Sequence, residues 1–361
     1  GYEGRMRRLV FSIYIYRIYE TGQEFDLNRL EKGLPGERMP ARARFFRVSP
    51  KSIQIPSQPL VVNLGNFLHE SDWGTVTFCV QAKIYDLGVV SICLSYDVDP
   101  DQSSEPETVA LRFAGQNDLD YLFTRCLRSL HEHLQPLLEK FDPDPDFEDY
   151  IIYTITHPSE VQDPVPLLMG ERLDFSETVR TQVLRNRLSY SEADFAIVTW
   201  DTALICDPED TSDLRDLIEF ANVQLLELRY YDNQLTREMQ VMYNDIDGAA
   251  ATPNYRKMRH YRRIIGNRMQ MIADITEIRE RIENLIKVTE DVYYARVYQT
   301  TLEVLRTDQW TASLNRKLQV IQQNYNLLLN EVNIQHSNFL EWIIIILIAL
   351  EFGFAILSQV W

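Results

Sequence analysis

Residues Trp342–Trp361 read WIIIILIALEFGFAILSQVW, with a tryptophan at each end and one ionisable group, Glu351. About twenty mostly apolar helical residues cross the roughly 30 Å hydrocarbon core of a bilayer. Tryptophan favours the two interfaces between water and lipid. Because nothing follows Trp361, the sequence predicts a single C-terminal transmembrane helix, a tail anchor over residues 340–361.

Glu351 lies near the middle of this segment. A carboxylate at that depth costs about 2.5–3.5 kcal/mol on insertion scales, so we expect it to be protonated or packed against protein. Copies of the helix that meet in an oligomer would share hydrogen bonds between these groups or line a narrow polar path. The alternative is a neutral acid that is tolerated in lipid.

The segment before the anchor carries apolar residues at alternating steps of four and three. These positions are Leu314, Leu318, Ile321, Tyr325, Leu328 and Val332. Such spacing favours left-handed supercoiled packing, and it predicts one helix from about Asp308 to Trp361. With two earlier helical patterns, from Leu214 and from near Tyr255, it predicts a helical hairpin or coiled-coil stalk over residues 208–339. An intramolecular hairpin alone explains the pattern; we favour a hairpin that also self-associates, because the last apolar seam leads into a lone membrane helix.

Strand-like and helical patterns alternate in the first part of the chain. Strands are expected at 8–19, 74–83, 88–96, 150–156 and 195–206, and helices at 24–34, 117–140 and 177–188. Alternating apolar and β-branched residues predict the strands, and gaps of three and four predict the helices. The fold class is therefore α+β: a mixed α/β domain over residues 1–207, then the stalk and the transmembrane helix.

Composition limits the partners and the compartment. The net charge of −17 argues against a general nucleic-acid coat and against lying flat on anionic lipid. The cysteines Cys79, Cys93, Cys126 and Cys206 form no CxxC pair, which favours buried free thiols in a reducing compartment. We expect a single-pass membrane protein of the bacterial or mitochondrial inner membrane, with its bulk in the cytosol or the matrix.

Motifs for catalysis are missing from the sequence. It contains no phosphate-binding loop, dinucleotide fingerprint, nucleophile elbow or HExxH pair. The acidic run FDPDPDFEDY at 141–150 is interpreted as a solvated linker, because its prolines disfavour the loop of an EF-hand. We therefore predict no catalytic residue, cofactor or metal ligand, and a protein that is not an enzyme.

A basic run, RKMRHYRRIIGNR at 256–268, stands out in so acidic a chain. Arg256, Arg259, Arg262 and Arg263 are candidates for binding an anionic partner. They would either track a phosphate backbone or pair with the acidic helix start at 207–213 or an acidic neighbouring subunit. We favour ion pairing, since the apolar residues of the run already form a core-facing stripe, and nucleic acid is not an expected partner.

The C-terminal sequence resembles a known family. LNRKLQVIQQNYNLLLNEVNIQHSNFLEWIIIILIALE at 314–351 is similar to the C-terminal signature of the Required-for-Meiotic-Nuclear-Division family, whose heptad-like helix enters the membrane at an LEWIII-type motif followed by a glutamate. The matching positions are Leu340, Glu341, Trp342, Ile343, Ile344 and Glu351. Weaker similarity lies in AKIYDLGVVSI at 82–92 and EFDLNRL at 24–30.

This resemblance implies a membrane-anchored, self-associating protein without established catalysis, which supports translation or organelle and membrane organisation. Relatives include a mitochondrial inner-membrane protein that supports organellar translation. The expected function is a homo-oligomeric scaffold or tether that offers its α/β domain to a partner complex, such as one associated with the ribosome. The alternatives are a small pore or proton-handling assembly that uses Glu351, and an RNA tether through the basic run.

Overall fold

A computed structural model gives the architecture of the chain. It describes residues 11–21, 25–33, 41–42, 58–71, 74–98, 106–114, 117–134, 145–250, 273, 276 and 292–360. Two compact units emerge. The sheet unit comprises Gly1–Tyr230 and Asn284–Trp310, and the helical unit comprises Tyr231–Glu283 and Thr311–Trp361.

The sheet unit contains a nine-stranded mixed sheet. Its strands are β1 Phe11–Glu20, β2 Ala41–Arg42, β3 Leu60–Ser71, β4 Gly74–Ile84, β5 Val89–Val98, β6 Phe147–Ile155, β7 Arg187–Leu188, β8 Phe195–Val198 and β9 Thr202–Cys206. Their order across the sheet is β2-β3-β4-β5-β1-β6-β9-β8-β7. Among the strands that the structure describes, only the β6–β9 pair is parallel, and the other neighbours run antiparallel.

Short helices cover one face of this sheet. They are α1 Leu27–Gly33, α2 Pro106–Arg112, α3 Asp120–Leu134, α4 Pro164–Met169 and α5 Glu177–Leu184. Strand residues at every second position, such as Val76, Phe78 and Val80 in β4, point into the core beneath them, while Thr77 between them is exposed. This two-residue period places one face of the strand in the core.

A long helix covers the other face. It is α6, Ser212–Ala250, and its first turns pack with α7, Val292–Val304, against Tyr16, Tyr150 and Ile152 of the sheet. A buried ion cluster joins α6 to β4: the Lys83 Nζ atom lies 2.6 Å from an Asp216 oxygen and 2.7 Å from a Glu219 oxygen. Burial lowers the pKa of Lys83, but the two carboxylates outweigh it and the pKa is raised overall.

Most predicted strands are present, but residues 195–206 form a hairpin rather than one strand. The chain turns between β8 and β9, where the Thr199 amide donates to the carbonyl of Thr202 over 2.8 Å. The strands predicted at 74–83 and 88–96 are β4 and β5, and the turn that joins them places Gly88 at a φ of 97°. Residues 147–150, interpreted as part of an acidic linker, instead open β6.

The cysteines are free, as expected, but not all are buried. Cys126 and Cys206 are buried, Cys93 is half-buried and Cys79 is exposed. Cys79 pairs with Ser95 across β4 and β5, so Cys79 and Cys93 do not face each other.

The last helix is α8, Thr307–Val360, with 54 residues. Its start agrees with the predicted one near Asp308. The helix predicted to begin near Leu214 is α6, which extends to Ala250. Among the residues that the structure describes, no helix is long and apolar enough to cross a membrane.

Candidate functional site

The first half of α8 has one buried face. Leu314, Leu318, Ile321 and Tyr325 are each at most 3% exposed. All four were predicted to mediate oligomerisation, and they are already buried within a single chain. The intramolecular hairpin that the spacing also allowed accounts for their burial, so self-association through these side chains stays a prediction.

Polar contacts show which helix lies beside this face. Asp232 of α6 accepts a hydrogen bond from the Ser313 hydroxyl over 2.8 Å, and its carboxylate lies 2.8 Å from Lys317 Nζ. Lys317 also donates to the Thr236 hydroxyl over 2.6 Å. Asp232 interrupts the apolar repeat of α6 in the sequence, and these contacts explain why: it holds α6 against α8 in a fixed register.

The opposite side of α8 carries exposed apolar residues. Leu318 and Leu327 are nine residues apart, about two and a half turns, so they point in opposite directions. Leu327 is 66% exposed and Ile334, two turns further on, is 56% exposed. Val320, Leu327 and Ile334 repeat every seven residues, and we name them the outer stripe. Val320 is half-buried, and no described part of the chain covers Leu327 or Ile334.

Beyond the outer stripe, α8 becomes apolar on all sides. Its side chains from Leu340 to Leu350, here named the apolar end, are exposed without interruption. The largest of them are Leu340, Trp342, Ile343, Ile344, Ile345, Ile346, Leu347, Ile348 and Leu350, with exposures from 38% to 65%. Glu351, the predicted midplane carboxyl, follows them and is also exposed.

Several predicted site residues lie outside the part of the chain that the structure describes. They are the arginines Arg256, Arg259, Arg262 and Arg263 and the terminal Trp361. Leu328 and Val332 belong to α8, but their side chains are not among those described. Their predicted roles therefore stay predictions.

In the sheet unit, an acidic cavity of about 350 Å³ lies beside the first residues of β6 and β9. Three carboxylates line it, those of Asp149, Glu171 and Asp201. The loop that carries Glu171 follows Gly170, which ends α4 at a φ of 68° and whose backbone lies close to Ala114. Glycine is the residue that adopts this left-handed conformation without steric cost, so α4 ends abruptly and the loop reaches the cavity.

Two groups of the acidic cavity have unusual surroundings. Tyr153 of β6 is fully buried, and its hydroxyl has no hydrogen-bond partner among the described residues. Burial and the nearby Asp201 raise the pKa of Tyr153. Partial burial also raises the pKa of Asp201, and a backbone hydrogen bond to its carboxylate and the 3.5 Å hydrogen bond from Thr199 offset this only in part.

Asp149 differs from the other two carboxylates because it has a cationic partner. Arg17 of β1 donates to it through Nε at 2.6 Å and Nη2 at 3.2 Å. The guanidinium lies between the rings of Phe123 and Phe147, 4.6 and 4.4 Å from their centroids. Aromatic faces attract a cation, so this arrangement fixes the pair. Arg17 also lies 2.9 Å from an Asp120 oxygen, so one guanidinium is shared between two carboxylates.

A larger cleft of about 1010 Å³ shares Met169 and Asp201 with the acidic cavity. Its lining includes Trp200, half exposed at the tip of the β8–β9 hairpin, and Arg185. The hairpin that the sequence analysis missed thus supplies residues to both cavities. Asp149 and Tyr153 come from β6, and Asp201 comes from the turn between β8 and β9. The two segments share no motif, and only the Thr-Trp-Asp-Thr turn offered a local signal.

Comparisons with known proteins identify a family to which the sheet unit is similar. An uncharacterized protein, MJ0711, of the archaeon Methanocaldococcus jannaschii is 26% identical over 246 residues, which cover 65% of this chain and 73% of that protein. No solved structure matches the chain. The resemblance of residues 314–351 to the Required-for-Meiotic-Nuclear-Division family lies outside the family match that follows and stays a prediction. Residues 11–213, more than half of the chain, match the family described as "Uncharacterized protein MJ0711, N-terminal domain", and the protein belongs to that family.

Proposed function

We propose that the protein is a membrane-anchored, self-associating, non-enzymatic tether that holds its sheet unit at a membrane surface for a partner complex. The observation that carries this proposal is the apolar end of α8. Seven consecutive residues, 342–348, span almost two turns, so apolar side chains point in every direction around the axis.

Lipid is the occupant that fits this pattern. A partner helix would cover one stripe, whereas a helix that is apolar all round is a feature of buried or membrane-embedded segments. Burying a large aliphatic side chain is worth about 1.5–3 kcal/mol, so leaving eight of them in water would cost on the order of 10 kcal/mol or more. The residues after Glu351 continue the apolar sequence toward Trp361.

Self-association follows from the outer stripe. Anchored copies share one orientation, so the outer stripe of every copy would lie at the same height above the bilayer. Leu327 and Ile334 repeat at the heptad spacing that parallel helices use to pack. The buried face with Leu318 is occupied within the chain, which leaves the outer stripe as the contact between copies.

The partner complex is the part of the proposal that the family resemblance supports. A ribosome-associated complex would agree with the role in organellar translation of the mitochondrial inner-membrane protein of the Required-for-Meiotic-Nuclear-Division family. In this proposal the compartment is the cytosol or the mitochondrial matrix, in keeping with four free thiols.

Flotation of the full chain with phosphatidylcholine vesicles tests the anchor. We expect the protein to float with the vesicles and to stay bound at high salt, because the attraction is apolar. Ile345→Arg combined with Ile346→Arg should leave it in the dense fraction, whereas the control Leu173→Arg, at an exposed position of the sheet unit, should float normally. Flotation of the double arginine variant to the same extent as the parent would refute the anchor.

A further inference from the structure

The proposed anchor carries one charged side chain at a depth where lipid offers it no partner. Glu351 follows Trp342 by nine residues, and this spacing corresponds to about 14 Å along the helix axis. The distance is close to half of the roughly 30 Å hydrocarbon core, so a helix that enters the bilayer at Trp342 places Glu351 near the midplane. Ionisable residues at this depth are rare, and they almost always face protein or a water-filled cavity.

Other copies of the segment do not supply a positive charge for Glu351. Residues 318–361 contain no lysine or arginine, and the nearest one before them is Lys317. Lys317 lies about 51 Å from Glu351 along the helix axis, and it already forms an ion pair with Asp232. Copies anchored in one orientation would bring their Glu351 side chains to the same depth, where two carboxylates repel each other. A counter-charge for Glu351 therefore has to come from a different protein.

The side of α8 that carries Glu351 is open to a neighbouring helix. Leu347 and Ile348 lie one turn before Glu351 on the same side, because residues three and four apart are neighbours on a helix surface. They are 59% and 48% exposed, and Glu351 is also exposed. These three residues form the Glu351 face, which combines aliphatic packing surface with one carboxyl group.

We propose, building on the anchor, that the Glu351 face binds a transmembrane helix of a different protein that carries a lysine or an arginine near its midplane. The carboxylate of Glu351 accepts hydrogen bonds from the basic side chain and balances its charge, while Leu347 and Ile348 pack against the neighbouring helix. Arginine forms the stronger contact, because its planar guanidinium donates two hydrogen bonds to one carboxylate. The tether thereby recognises a partner that is itself embedded in the membrane.

Energy transfer in phosphatidylcholine vesicles tests the Glu351 face. The full chain carries a donor dye, and synthetic polyleucine helices with a central arginine, glutamate or leucine carry the acceptor. We expect the arginine peptide to associate about 10-fold more tightly than the leucine peptide, the size that one polar pair contributes between model membrane helices. The glutamate peptide should associate no better than the leucine peptide, because it offers no positive charge.

Two variants of the full chain assign this preference to one carboxyl group. Glu351→Leu should abolish the preference for the arginine peptide. The matched control Glu341→Leu removes an exposed carboxyl group ten residues earlier in α8, near the end of the anchor, and it should keep the preference. Flotation of the same vesicles reports whether each variant is anchored.

The anchor and the Glu351 face can fail separately. An anchored chain that binds the three peptides equally, or that keeps its preference for arginine in the Glu351→Leu variant, would overturn the Glu351 face and leave the anchor intact. Equal binding of the glutamate and arginine peptides would also overturn it, because hydrogen bonds between neutral acids would then explain the contact. A chain that does not float with the vesicles would refute the anchor and the partner helix together.

Discussion

The two halves of α8 place apolar residues in opposite ways, although they belong to one continuous helix. In the first half, Leu314–Tyr325, buried residues occupy a single face, and the rest is mainly polar, as at Gln322, apart from Val320 of the outer stripe. In the apolar end, side chains of the same types surround the whole axis and all are exposed. The first pattern is satisfied by one neighbouring helix, and the second needs a medium that is apolar in all directions.

The difference shows that periodicity, more than hydrophobicity, identifies what surrounds a helix. Leucine and isoleucine at 3.5-residue spacing indicate a partner helix on one side, whereas consecutive isoleucines indicate that lipid surrounds the helix. The outer stripe lies between these two regimes. The stripe covers too little of the helix circumference to face lipid. Its seven-residue repeat is too regular for a helix face that contacts only water.

The largest effect should come from charge in the apolar end. The double change Ile345→Arg and Ile346→Arg should weaken membrane partitioning by up to about 5–7 kcal/mol. Each arginine costs about 2.5–3.5 kcal/mol at the centre of a membrane helix, and less where it lies nearer the interface, as residues 345 and 346 do. Quantitative vesicle binding measures this. The same two changes at Gln322 and Gln323, both exposed in the first half, should leave partitioning intact.

A smaller effect, a loss of folding stability, is expected from a substitution on the buried face of the first half of α8. Leu318→Ala should lower the unfolding free energy of the helical unit by about 2–5 kcal/mol, because the lost methyl groups leave a cavity. Hydrogen exchange at the amides of Leu235 and Met242 reports it. Leu327→Ala, the same change on the exposed side, should stay within about 0.5 kcal/mol in the monomer. Equal losses in both variants would contradict the one-sided packing.

The outer stripe should matter for association and not for folding. Leu327→Asn combined with Ile334→Asn should weaken self-association by about 10-fold or more in detergent, because two apolar side chains leave the contact. Analytical ultracentrifugation gives the dissociation constant. A parent that sediments as a monomer at every concentration would remove the oligomer from the account and leave the anchor untouched.

Asp232→Asn tests whether the polar contacts of Asp232 fix the register between α6 and α8. The variant keeps the shape of the side chain but loses the charge that faces Lys317, so we expect a loss of about 1–3 kcal/mol in the stability of the helical unit. Urea unfolding followed by circular dichroism measures the change. The reference is Glu341→Gln, at an exposed position of the same helix α8 within the helical unit, and it should leave the stability of this unit unchanged.

The smallest effect is expected at Glu351. Glutamine can still form hydrogen bonds between helices, so Glu351→Gln should leave the association constant of a tether unchanged. Conductance across a planar bilayer provides the contrasting measurement. A pH-dependent conductance of the parent that disappears in this variant would favour the pore over the tether.

Local sequence patterns predicted much of the architecture. Alternation located most strands of the sheet, and the 4-3 spacing located α8 and its buried face. Residues 195–206 were misassigned because FAIVTWDTALIC contains no glycine or proline, and the single Asp201 between two apolar runs was not interpreted as a turn. The turn depends on hydrogen bonds of Thr199, whose side chain also accepts from the Thr202 amide over 3.1 Å.

The cavities and the ion pairs were beyond the reach of local patterns. Arg17 and Asp149 are 132 residues apart, and they meet because β1 and β6 pair with these two residues in register. Asp232 interrupts the apolar repeat of α6, and its partners Ser313 and Lys317 on α8 explain its position. Contacts of this kind depend on strand order and helix register, which composition and spacing do not determine.

Depth-resolved quenching within α8 tests the central claim most directly. A bimane label would be placed at Ile345→Cys or at Gln322→Cys, in a background with Cys79→Ser to remove the exposed thiol, and the protein reconstituted in vesicles. We expect nitroxide lipids to quench the label at position 345 and aqueous iodide to quench the label at 322. Quenching of both labels by iodide, with no effect of the nitroxide lipids, would contradict the account.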